Sequence, residues 1–94
     1  EGIAIYTHNM AELALDRQAW SRAESLGREA LPLAEKLNRK DMIAACCLTL
    51  ARALEKQDRK QDGLPFAQRA EEIYERLKSK EAEKAREMVG LLGG

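Results

Sequence analysis

The sequence repeats itself at a spacing of forty residues. A repeat of this length is typical of a helical supersecondary unit that is stacked on copies of itself to bury a continuous core. We therefore expect one domain over residues 1–94, with repeat 1 at 1–40, repeat 2 at 41–80 and a terminal capping helix at 81–92. The residues of repeat 1 that are identical in repeat 2, forty positions later, are Ile3 and Ile43, Ala4 and Ala44, Ala11 and Ala51, Ala30 and Ala70, Glu35 and Glu75, Leu37 and Leu77, and Lys40 and Lys80.

Apolar and small residues recur within each unit at the i, i+3, i+4, i+7 spacing of an amphipathic helix. Short polar breaks at residues 16–19 and 57–61 divide each unit into two helices, and such short connections favour antiparallel neighbours. The fold class predicted is all-α, with antiparallel helical hairpins and about five helices in total.

Local signals predict where some helices begin. Ser21 with Glu24 three residues later has the pattern of a capping box for the second helix. Asp62 precedes Pro65, which predicts a proline in the first turn of the fourth helix. Pro32 lies inside the second helix and removes a hydrogen bond to the Arg28 carbonyl, so we expect it to bend or split that helix.

Charge and cysteine content narrow the partners and the compartment. Lys and Arg together number 16 and so do Asp and Glu, so no excess charge attracts nucleic acid or an anionic membrane. No apolar run approaches the ~20 residues that cross a bilayer. Cys46 and Cys47 are adjacent and suit no ordinary disulfide, which favours a reducing, cytoplasmic location. Because Ile3 already belongs to a helical pattern, we expect the chain to be part of a longer protein.

Small and large residues alternate in a fixed order in both units: Asn9, Met10, Ala11, Ala14, Trp20, Ala23 and Ala30 in the first, and Leu50, Ala51, Leu54, Gly63 and Ala70 in the second. This pattern resembles the tetratricopeptide repeat family over nearly the whole chain. The repeat of forty residues is longer than the usual 34 or so, which is similar to the long repeats of bacterial STAND (NB-ARC) regulatory NTPases and of kinesin light chains.

The resemblance implies a right-handed superhelix whose first helices line a concave groove for a peptide or partner protein. Of the lysine and asparagine set that binds chaperone C-terminal carboxylates, only Asn9 is present, so a carboxylate clamp is not expected. Mixed charges in the groove can meet both acids and bases of a ligand, or can form an ordinary solvated surface. The groove residues implied are Ile5, His8, Asn9, Glu12, Asp16, Leu48, Thr49, Arg52, Lys56 and Met88.

The function predicted is a non-catalytic protein–protein interaction module without a cofactor or metal. A structural or sensor arm at the C-terminus of a STAND-type NTPase is the alternative. A His8–Cys47 dyad is a third hypothesis, weakened because Cys47 lies in an apolar stripe. We interpret Trp20 and Phe66 as core residues rather than ligand anchors. The exposed first helix, with Ile3, Tyr6 and Met10, allows self-association.

Overall fold

The structure is a computed structural model that describes residues 2–93, and Glu1 and Gly94 lie outside this range. The described residues form five α-helices and no β-strand, which confirms the predicted all-α fold class. The helices are α1 (Gly2–Asp16), α2 (Trp20–Leu37), α3 (Lys40–Lys56), α4 (Lys60–Arg76) and α5 (Glu81–Gly93).

The third helix lies at the centre of the domain. Each helix packs on the next one in the chain, and α3 also packs on both α1 and α5. Its side chains Leu50 and Leu54 are completely buried, as are Cys46 and Cys47. This packing is compatible with a stack of helical hairpins, with α3 holding the two ends of the stack together.

The same turn follows each of the first four helices. One residue of this turn has a left-handed backbone, with φ between 55° and 62°, at Gln18, Asn38, Asp58 and Lys78. The N–H of the next residue then donates to a carbonyl five positions back, as in a Schellman motif. The backbone therefore repeats every twenty residues, half the period of the sequence. These hydrogen bonds run from Ala19 to Ala14, Arg39 to Ala34, Arg59 to Leu54 and Ser79 to Tyr74.

Glycines allow the two even-numbered helices to approach α3 closely. A Cβ atom on Gly27 of α2 would lie 2.9 Å from Leu50 Cγ, closer than side chains normally come. A Cβ atom on Gly63 of α4 would lie 3.3 Å from both the Ala51 carbonyl oxygen and Leu54 Cβ. Small residues at these crossings thus set the distance between helices.

The predicted capping box is wrong. The α2 helix begins at Trp20 behind Ala19, which makes no side-chain capping bond, and Ser21 lies inside the helix. The Glu24 carboxylate accepts hydrogen bonds from Arg28, Gln57 and Arg59 instead. Tertiary partners outweigh the local cap because Gln57 and Arg59 offer this carboxylate an amide donor and a charged donor from other parts of the fold.

The two prolines also differ from expectation. The α4 helix begins at Lys60, so Pro65 lies beyond its first turn. Pro32 does not split α2, which is continuous from Trp20 to Leu37. Both prolines are on the exposed side of their helices, where a backbone carbonyl that loses its intrahelical donor can be hydrated.

Ion pairs connect neighbouring helices on the side of the domain formed by α2 and α4. Arg59 Nη1 lies 2.8 Å from Glu24 Oε1, and Arg69 Nη1 lies 2.8 Å from Glu35 Oε2. Arg86 of α5 pairs in turn with α4. Within residues 2–93, none of the helices has both the length and the apolar character needed to cross a bilayer.

Candidate partner-binding cleft

Five of the ten predicted groove residues line a single cleft. It lies where α1, α3 and α5 meet the start of α2, and its volume is about 370 Å³. The residues from the prediction are Glu12, Asp16, Arg52, Lys56 and Met88. The structure adds Leu15, Trp20, Glu55 and Leu91 to the lining. We call this the main cleft.

The other five predicted residues lie elsewhere. Leu48 and Thr49 are buried and line a smaller neighbouring cleft of about 130 Å³, which shares Glu12 and Arg52 with the main cleft. His8 is largely buried, and its Nε2 atom lies 3.3 Å from Thr49 Oγ1. Ile5 and Asn9 are exposed and line neither of these clefts.

Trp20 is the most informative residue that the prediction left out of the groove. It is half-buried, and the Lys56 Nζ atom lies 5.8 Å from the centroid of its ring. The repeat itself carries a signal for this role, because Lys60 occupies the corresponding position in the second unit. Because the equivalent position in the second unit is a lysine, the core does not require an aromatic residue at this place in the repeat. Phe66, by contrast, packs against the core with Arg28 over its ring, as expected.

The main cleft combines an apolar surface with charged groups of both signs. Leu15, Trp20, Met88 and Leu91 form the apolar part, and Leu91 is 55% exposed. The acids are Glu12, Asp16 and Glu55, and the bases are Arg52 and Lys56.

Three of these charged side chains are available to a ligand. Among residues 2–93, Asp16, Arg52 and Glu55 have neither an ion-pair nor a hydrogen-bond partner for their side chains. Glu12 Oε1 lies 3.9 Å from His8 Nδ1, at the limit of an ion pair. Glu24 is different, because Arg28, Gln57 and Arg59 already occupy its carboxylate. The main cleft therefore has acids and a base that can pair with a ligand without breaking an internal contact.

His8 and Cys47 have different neighbours in the fold. No hydrogen bond joins them within the described residues, because His8 faces Thr49. Burial raises the pKa of the Cys47 thiol to about 11, although Arg69 on α4 opposes this shift. A thiol that is completely buried and protonated at neutral pH is a poor nucleophile.

The part of the chain that the structure describes also contains no group of three or more His, Cys, Asp or Glu side chains that could hold a metal ion. The main cleft offers apolar surface beside charged groups of both signs. None of the protein-family models, curated proteins or solved structures with which the chain was compared matches it.

Proposed function

We propose that this chain is a non-catalytic protein–protein interaction module that binds a peptide or a segment of a partner protein in the main cleft. The observation that supports this most directly is the set of unpaired charges, Asp16, Arg52 and Glu55, beside exposed apolar surface. Membership of the tetratricopeptide family, with its right-handed superhelix and concave groove, belongs to the same proposal. So does a reducing cytoplasmic location, which suits two free thiols.

The chemistry of the cleft specifies the kind of ligand. An apolar side chain of the ligand packs against Trp20 and Met88, and a neighbouring lysine or arginine pairs with Asp16 or Glu55. Arg52 accepts an acidic group of the ligand. A cleft of this volume holds only a few side chains, so affinity depends on one anchor and one or two charge pairs.

The test uses the intact chain and a charge-reversed variant, Arg52→Glu with Glu55→Lys, which keeps the net charge unchanged. A matched control reverses two exposed charges on α2, with Glu29→Lys and Lys36→Glu. Proteins captured from a native lysate are identified, and their binding segments are titrated as peptides. Trp20 is the only tryptophan, so its fluorescence reports on the cleft.

We expect the intact chain and the control to bind the peptide with a shift in Trp20 emission. The cleft variant should bind at least about tenfold more weakly, because two charge pairs become repulsive. Equal binding by all three proteins, or binding that leaves Trp20 emission unchanged, contradicts the proposal.

A structural or sensor arm of a STAND-type NTPase is the second candidate, and a separate observation favours it. Ile3 and Tyr6 on α1 are 71% and 65% exposed, an apolar surface of the kind that further repeats cover in a longer array. This alternative predicts that charge reversal in the main cleft leaves capture unchanged, because the contacts are made by α1.

A further inference from the structure

The outer face of α1 carries an apolar stripe that the domain leaves uncovered. The stripe consists of Ile3, Tyr6, Met10 and Leu13, whose spacing places them on one side of a helix. Ile3, Tyr6 and Leu13 are 71%, 65% and 40% exposed. The residues forty positions later on α3, all of them at most 3% exposed, are Ile43, Cys46, Leu50 and Ala53.

One other face of α1 agrees in burial with the matching face of α3, so the two helices share one register. Four buried residues of α1 have buried counterparts forty positions later on α3. The stripe, by contrast, is buried on α3 and exposed or half-buried on α1. The agreeing pairs are Ala4 and Ala44, Thr7 and Cys47, Ala11 and Ala51, and Ala14 and Leu54.

On α3, the α2 helix covers part of the residues that correspond to the stripe. It presents small residues: Gly27 lies directly over Leu50, and Ala23 packs in one cluster with Ala53. On α1 the position of Leu50 is taken by Met10, a flexible side chain that adapts to a neighbouring helix. A helix with small residues at the same spacing fits against the stripe.

Charge complementarity points to the same kind of helix. At the turn after α3, Gln57 Nε2 and Arg59 Nη1 hold the Glu24 carboxylate of α2 at 3.1 and 2.8 Å. In the corresponding turn after α1, Arg17 is the residue equivalent to Gln57 in the forty-residue repeat. Arg17 and Arg22 line a cavity of about 250 Å³ with Met10, Leu13, Ala14 and Ala19. Neither arginine has a side-chain partner among residues 2–93, so both can receive a carboxylate.

We propose that the outer face of α1 binds an amphipathic partner helix of the α2 kind. This helix carries a glutamate near its start and small residues three and six positions later, as Glu24, Gly27 and Ala30 do in α2. The inference does not depend on the proposed main-cleft function, because Glu12 and Asp16 lie on another face of α1. A second copy placed stripe against stripe fits less well, since the stripe offers no acid to Arg17 and Arg22.

The probe is a synthetic peptide of residues 19–38 held helical by a lactam bridge between Glu29 and a lysine introduced by Ser25→Lys. Both positions are exposed on α2, so the bridge leaves the binding side free. Binding to the intact labelled chain is followed by NMR. We expect signals of Ile3, Tyr6, Met10 and Leu13 to shift, and those of the Trp20 indole to stay unchanged.

Charge reversal tests whether the glutamate at position 24 of the peptide contributes to binding. A peptide with Glu24→Lys should bind the intact chain about fivefold more weakly. The chain variant Arg17→Glu with Arg22→Glu should reverse this preference. The variant Tyr6→Glu should weaken binding at least about tenfold, and its unchanged circular dichroism would show that the fold is intact.

Three outcomes overturn the proposal. The first is no shift on α1 at about 1 mM peptide, the weak limit of useful affinity. The second is a shift centred on Trp20, which indicates binding in the main cleft. The third is a dimer in sedimentation experiments whose interface is the stripe, which assigns the surface to a second copy.

Discussion

Glu24 connects three helical regions through one carboxylate. Its side chain is only 14% exposed, and it accepts hydrogen bonds from Arg28 within α2, from Gln57 after α3 and from Arg59 before α4. Burial by itself raises the pKa of this carboxyl, but the bonds from Arg28 and Gln57 and the charge of Arg59 outweigh it. The pKa of Glu24 is therefore lowered from its ordinary value of 4.5.

Replacing Glu24 with Gln should lower the free energy of unfolding by about 1–2 kcal/mol at pH 7, because charged hydrogen bonds are lost. Because folding lowers the pKa of this carboxyl, its charged form stabilises the fold at pH values above 4.5, the pKa in the unfolded chain. This stabilisation is lost as the pH falls through the pKa of the folded protein. Urea titrations should therefore show a larger difference between the two proteins at pH 7 than at pH 3.

The control for this change is Glu29→Gln, an exposed glutamate on the same helix, which should alter stability by less than about 0.5 kcal/mol. An equal effect of both substitutions would show that Glu24 contributes no more than a surface charge.

The left-handed residues of the four turns give a second prediction. Lys78 has φ 55°, which costs a residue with a Cβ about 1–2 kcal/mol, whereas glycine adopts it freely. Lys78→Gly should stabilise the fold by about 0.5–1 kcal/mol after the greater freedom of the unfolded chain is subtracted. Asn38→Gly is the matched control and should change little, because asparagine tolerates this conformation. Thermal unfolding of both variants checks the difference, and equal shifts would contradict it.

At the scale of the helix, the closeness of α2 to α3 depends on the absence of a side chain at Gly27. Gly27→Ala should destabilise the fold by about 1 kcal/mol, since overpacking against Leu50 exceeds the gain in helix propensity. Gly90→Ala on α5 should stabilise it by about 0.5–1 kcal/mol, because a Cβ there meets nothing within 4 Å. Denaturant unfolding of the pair should give opposite signs, and the same sign for both would contradict the helix spacing.

The helix boundaries show what local sequence signals can and cannot determine. The spacing of small and apolar residues predicted five helices, and five are present in the described range. Ser21 and Glu24 suggested a cap that does not form, because Glu24 has stronger partners on other elements. A local motif competes with tertiary contacts that are invisible until the helices are placed side by side.

For the whole molecule, the two cysteines report on global stability. Both are completely buried on the central helix, and burial raises the pKa of Cys46 to about 12 and of Cys47 to about 11. At pH 8 a thiol reagent should modify them only after the domain unfolds, about 10³-fold more slowly than in urea, which corresponds to roughly 4 kcal/mol. Mass spectrometry of timed samples measures both rates.

An exposed thiol introduced by Gln68→Cys on α4 is the control and should react at the rate of the unfolded chain. Fast modification of Cys47 in the folded protein would instead reveal local opening of α3 and would revive the hypothesis of a reactive thiol.

Only part of the candidate site was predicted from the sequence. The resemblance to tetratricopeptide repeats implied that Glu12, Asp16, Arg52 and Lys56 line one groove, and the structure gathers these four into the main cleft. Leu48 and Thr49 were assigned to the same surface but are buried beside it. A one-residue difference in helix rotation, about 100°, moves a side chain from the groove into the core, and spacing alone does not fix that rotation.

The sequence by itself determined the helices and their number, because helical periodicity and small residues at the crossings are properties of the order of residues. Only the tertiary structure decided that Trp20 faces the main cleft and that Glu24 bridges α2, α3 and α4. Each of these depends on which side chains from distant parts of the chain meet. Burial and charge pairing are determined by these tertiary contacts rather than by neighbouring residues in the sequence.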